Sequence, residues 1–82
     1  MEPAHPPGDD RLVRLSRHAK NEMRLYGITP ADVRAVAARP TTTGRDAGGN
    51  HRLGGPDSNG RAIIVVIADD DHDFVITTFP DD

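Results

Sequence analysis

The stretch ITPADVRAVAARP, residues 28–40, decides the fold. Thr29 is a good helix N-cap. Pro30 suits the first helical position, where a backbone N–H has no intrahelical partner anyway. Asp32 stands three residues after the cap, close to a capping box. Val33, Val36 and Ala37 follow at helical spacing and define a buried face. Pro40 stops the helix, because proline disfavours helical backbone in the residue before it. Upstream, Ala19, Met23 and Tyr26 recur at i, i+4, i+7 behind Ser16, another good N-cap, and ahead of Gly27, where a C-terminal glycine belongs. This predicts a first helix over residues 17–26. His18, Glu22 and Leu25 flank its apolar stripe on one side, Lys20 and Arg24 on the other.

Downstream the pattern changes to strands. Residues 41–43 are β-branched and read as extended, 44–50 as loop, and 51–53 as a short strand. Residues 54–60, with three glycines and a proline, read as a turn. Residues 61–68 carry a continuous apolar run, which predicts a central strand buried on both faces. Residues 69–73 form an acidic turn. Residues 74–79 make the last strand, with Phe74, Ile76 and Thr78 on one face and Val75, Thr77 and Phe79 on the other. Leu12, Val13 and Leu15 fit an edge strand or a lead-in to the first helix. The expected fold is α+β, with two N-terminal helices packed on a three- to four-stranded antiparallel sheet. Residues 11–80 form its one domain, behind a disordered acidic, proline-rich tail over residues 1–10.

Composition narrows the function classes. With 82 residues, folding buries only about 60–65% of the unfolded surface. There is no cysteine, which excludes disulfides, thiolate zinc sites and a thiol nucleophile. No apolar run reaches the roughly 18 residues of a membrane span. Residues 1–10 have neither a basic nor an apolar signal-peptide region, so the expected location is cytoplasmic. The net charge of −3 hides a strong asymmetry: all ten Lys and Arg lie between Arg11 and Arg61, and residues 11–68 carry only four acids. A basic middle between acidic ends fits an anionic partner such as RNA, or simply a solvated basic face.

The run Leu15-Ser16-Arg17-His18-Ala19-Lys20, then Met23, then Gly27-Ile28-Thr29 with Val33 following, resembles the opening of a bacterial domain family, DUF4258. The strands at 62–68 and 74–78 resemble its ending, so the likeness spans roughly residues 12–80. That family is grouped by similarity with RelE-like toxins and related metal-independent ribonucleases. The resemblance therefore implies a RelE-toxin-like fold, RNA as substrate, no cofactor, no metal, and a neutralising antitoxin as partner in a toxin–antitoxin system. It carries over to His18 and to a hydroxyl on the last strand, Thr77 or Thr78. Where the family pattern has an arginine before the methionine and a basic residue before the glycine, this chain has Glu22 and Tyr26.

Metal-free endoribonuclease chemistry needs a base for the ribose 2′-hydroxyl, an acid for the leaving oxygen, and cations for the transition state. Histidine suits the first two roles. His18, at the edge of the buried helical face, is the expected acid–base residue, with Arg24 and Thr78 beside it. Lys20, Arg52, Arg61 and His51 are the expected substrate contacts. Strand alternation sends His51 and Arg52 to opposite faces. His72, inside Asp69-Asp70-Asp71-His72-Asp73, reads as part of a solvated hairpin turn, since the spacing matches no calcium-binding loop. His5 receives no role. The alternative reading is a non-catalytic domain of the same fold that binds a protein or nucleic acid.

Overall fold

In the computed structural model, which describes residues 14–81, a short strand β1 (Arg14–Leu15) leads into two helices, α1 (Arg17–Tyr26) and α2 (Pro30–Ala38). The expected tail over 1–10, with Leu12 and Val13, lies outside the described residues. Both caps form. The Ser16 hydroxyl accepts from the Ala19 N–H at 2.9 Å. Thr29 accepts from the Asp32 N–H at 3.1 Å while the Asp32 carboxylate accepts from the Thr29 N–H at 2.9 Å, completing the capping box. Gly27 closes α1 at φ 70°, a left-handed conformation that a side chain would strain.

Four further strands follow: β2 (Thr42–Arg45), β3 (His51–Pro56), β4 (Ala62–Ala68) and β5 (Asp71–Pro80). The sheet order is β1-β5-β4-β3-β2. The pairs β2–β3, β3–β4 and β4–β5 are antiparallel, but β1 runs parallel to β5. The expected three- to four-stranded antiparallel sheet is thus corrected to a five-stranded mixed one. The physical reason is the route of the chain. β1 is followed by two helices before the meander begins, so it meets the sheet beside the last strand through a long connection, which a parallel pairing needs.

β4 is central and buried from Ile63 to Ala68, as its apolar run predicts. Ile63, Val65 and Ile67 face the helices and join Ala19, Met23, Ile28, Val33, Val36 and Val75 in the core. Strand limits and regularity differ from expectation: β2 reaches Arg45, inside the expected loop, and β5 starts at Asp71, inside the expected acidic turn. β3 runs on through Gly54 and Gly55, which serve close packing rather than a turn. A Cβ on Gly54 would stand 2.6 Å from the Thr42 hydroxyl and 3.1 Å from Ile64 Cδ1. β5 contains a bulge: Thr77 pairs with Val66 and Val75 with Ile67, leaving Ile76 as the extra residue. Strict alternation therefore fails, and Val75 and Thr78 are both buried. Ser16 is bonded at this irregularity, its N–H to the Val75 carbonyl at 3.0 Å and its hydroxyl to the Ile76 carbonyl at 2.6 Å.

The β3–β4 turn fastens the helices at one end of the sheet. Asp32, fully buried, accepts from both the backbone N–H and the hydroxyl of Ser58. Asp57 accepts from the N–H groups of Asn59 and Arg61, and Arg61 donates to the Tyr26 carbonyl at the end of α1, at 3.0 Å. Burial alone would raise the Asp32 pKa. The hydrogen bonds from Ser58 and Thr29 outweigh it and hold the carboxyl below its ordinary value of 3.8.

Two stability measurements check this wiring. Thr29→Ala removes the cap of α2 and should cost about 0.5–2 kcal/mol in chemical denaturation; an unchanged midpoint would remove Thr29 from that role. Because the folded pKa of Asp32 is depressed, its contribution is full above the unfolded value of 3.8 and is lost as pH falls through the folded value. Asp32→Asn should lower stability by about 1–3 kcal/mol at pH 7 and flatten the acid limb of the stability curve below pH 3.8. A variant whose acid limb stays as steep as wild type would place that dependence on other carboxylates.

Candidate functional site

The residues expected to act from α1 do not converge. His18, Lys20 and Arg24 are all exposed. Six helical steps lead from His18 to Arg24, which is about 9 Å along the axis and about 120° around it. Thr78 is fully buried and donates its hydroxyl to the Ile64 carbonyl at 2.7 Å, so it belongs to the core rather than to a cleft. Arg61 is bound to the Asp57 carboxylate at 3.3 Å as well as to Tyr26. Arg52 is exposed on the sheet face away from the helices, in register with Gly44 and Val66, beside a small pocket of about 140 Å³. These six residues form no single cluster.

The end of the sheet opposite the β3–β4 turn is different. His51 opens β3, where Ile67 and Arg45 are its cross-strand partners, and His72 lies near the start of β5. The two imidazoles meet edge to face, with ring centroids 4.9 Å apart and an interplanar angle of 88°. His51 Nε2 is 3.3 Å from Asp69 Oδ1 in the β4–β5 turn, and the same oxygen accepts from Arg45 Nη1 at 2.6 Å. The Arg45 hydrogen bond and charge are the main reason that the Asp69 carboxyl sits below its ordinary pKa, with smaller help from His51 and His72 against some desolvation.

The β2–β3 loop holds this arrangement in place. Asp46 accepts from the Gly48 and Asn50 N–H groups, and Asn50 in turn accepts from the Asp69 N–H at 3.3 Å. Arg45 also donates to the Gly49 carbonyl at 2.7 Å. The histidines line an open pocket of about 260 Å³ together with Ala37, Leu53 and Ile67. Chemically the group offers two imidazoles side by side, one next to an ionised carboxylate, with a guanidinium within one residue's reach. Among the described residues, no set of three or more histidine and acidic side chains is arranged to hold a metal ion.

Of the predicted residues, only His51 lies in this group. His72 reads in sequence as part of a solvated turn, because the spacing of its acidic neighbours matches no calcium-binding loop. The signal that could have found it is register. A hairpin joining the start of β5 to the end of β4, with β3 alongside, brings residue 72 near residue 51. The acidic turn itself is partly neutralised: Asp69 by Arg45, and Asp71 by an ion pair with Arg14.

No helix among the described residues is long and apolar enough to cross a membrane. No curated protein and no solved structure matches the chain at a significant level. One family does: a domain of unknown function, DUF4258, matches residues 15–80, which include both helices, the whole β2–β5 meander and the histidine pair. The chain belongs to the DUF4258 family.

Proposed function

We propose that this chain is a metal-independent, RNA-cleaving domain of the toxin type, RelE-like in its chemistry, with His51 and His72 as its acid–base pair. The observation that carries the reading is the 4.9 Å approach of the two imidazoles beside Asp69. Catalysis expected at His18 is reassigned, because Arg24 stands about 120° around α1 from it and the Thr78 hydroxyl is committed to the Ile64 carbonyl. His51, next to the Asp69 carboxylate, serves as the base and takes the proton of a ribose 2′-hydroxyl. The 2′-oxygen bonds to phosphorus and the P–O5′ bond breaks. Protonated His72 gives its proton to the leaving 5′-oxygen. The products are a 2′,3′-cyclic phosphate and a 5′-hydroxyl, and the step needs no external co-reactant. Arg45 stabilises the charge on the phosphorane-like transition state. A neutralising antitoxin is the expected partner, and the cytoplasm the expected location.

A second reading, a non-catalytic domain binding a protein or nucleic acid, is favoured by two observations. Thr78 and Arg61 are committed to structural hydrogen bonds. Asp70 and Asp73 flank His72 in sequence, with no ion pair to either among the described residues.

The deciding measurement is cleavage of an unstructured RNA by the full chain in the presence of a chelator. Wild type should yield cyclic-phosphate ends with a bell-shaped pH dependence. His51→Ala and His72→Ala should each lower the rate about 10²–10⁴-fold while remaining folded. Loss in His18→Ala instead would return catalysis to α1, and an inert wild type would leave the binding reading. RNA affinity should also fall steeply with salt, as counterions are released. Asp70→Asn and Asp73→Asn should each strengthen binding at low salt; unchanged affinity in both would place the RNA path away from the β4–β5 turn.

A further inference from the structure

We infer that the pocket lined by His51 and His72 binds a single unpaired nucleobase, so that the site acts on single-stranded RNA with little discrimination among bases. The choice of ligand rests on the function proposed above. The floor of the pocket is made by Ala37 from α2, Leu53 from β3 and Ile67 from β4. These side chains carry no donor or acceptor, so they present an apolar surface to a flat ring and read nothing from its hydrogen-bonding edge. The pocket is open, with a volume of about 260 Å³. That is ample room for one base.

The rim supplies the second half of a stacking site. In the edge-to-face pair of His51 and His72, the ring that presents its edge keeps both faces clear of the other ring, and its partner keeps one. Base–aromatic stacking on such faces is tolerant of sequence, because every base has a π-face. Geometry then links pocket and reaction. A ribose seated beside the two imidazoles carries its base one glycosidic bond away, towards the apolar side chains that line the same pocket. A base held in a duplex stack does not reach that floor, so the nucleotide must be out of the stack to be cut.

The test uses neutral nucleosides, which lack the phosphate that basic residues would attract. Adenosine, cytidine, guanosine and uridine are titrated in turn into the isotope-labelled full chain and followed by NMR, with inorganic phosphate as a parallel arm. The expected result is saturable ring-current shifts at the Ala37, Leu53 and Ile67 resonances, nearly independent of salt and within about tenfold in affinity across the four nucleosides. Ala37→Met, which fills the pocket, should weaken nucleoside binding about tenfold or more, the range for one lost stack. Cleavage of single strands should exceed that of duplex by at least a similar factor. Phosphate shifts at His51 and His72 with no nucleoside shift at the floor would overturn the base pocket and leave the acid–base site standing. Nucleoside binding without RNA cleavage would keep the pocket and reject the proposed reaction. Strong preference for one base would overturn the claim of base tolerance.

Discussion

The buried carboxylate of Asp32 is the interaction on which the layering of the molecule depends. It belongs at once to the capping box of α2 and to the β3–β4 turn through Ser58. A buried carboxylate is tolerated only when its oxygens are satisfied, and each Asp32 oxygen has a protein donor. The helix start and the turn are therefore specified together. Arg61 adds the end of α1 to the same junction through the Tyr26 carbonyl. With one end of the helix layer fixed, Val33 and Val36 of α2 and Ala19 and Met23 of α1 settle against Ile63, Val65 and Ile67.

The other end of the sheet has the opposite character. Two hairpins meet there through exposed or half-exposed polar groups rather than through core. Arg45 and Asn50 of the β2–β3 hairpin hold Asp69 of the β4–β5 turn, and the histidines stand beside that contact. Ion pairs this exposed contribute little to stability. Their consequence is orientation: Asp69 stays ionised and next to His51, while His72 remains accessible. A rigid, buried junction at one end and a polar, loop-built constellation at the other is the usual division between scaffold and site.

The charge distribution supports the same division. The cations of α1 point outward and have no common focus, which suits diffuse attraction of a polyanion more than recognition of one phosphate. Arg61, which looked like a free cation in the sequence, is used to tie helix to turn. The acids of the β4–β5 turn are partly cancelled by Arg14 and Arg45. The local field at the histidines is thus set by pairs from distant parts of the chain, not by the run of aspartates taken alone.

Local chemistry determined most of the fold. The limits of α1, the capping box of α2, the stop before Pro40 and the central position of β4 all follow from caps, breakers and apolar spacing, which act over a few residues. What the tertiary structure alone decided involves partners far apart in the chain. The parallel pairing of β1 with β5 depends on where two helices return the chain. The bulge at Ile76 overrides simple alternation and puts Val75 and Thr78 both in the core. Gly54 and Gly55 resemble a turn in sequence because only distant residues reveal that Gly54 makes room for Thr42 and Ile64, and Gly55 for the backbone at Arg39 and Thr41. The histidine pair is the clearest case. Residues 51 and 72 belong to different hairpins, and no spacing rule links them. Their contact exists because the registers of β3, β4 and β5, fixed by burial of alternate residues against the helices, bring those two hairpins to the same end of the sheet.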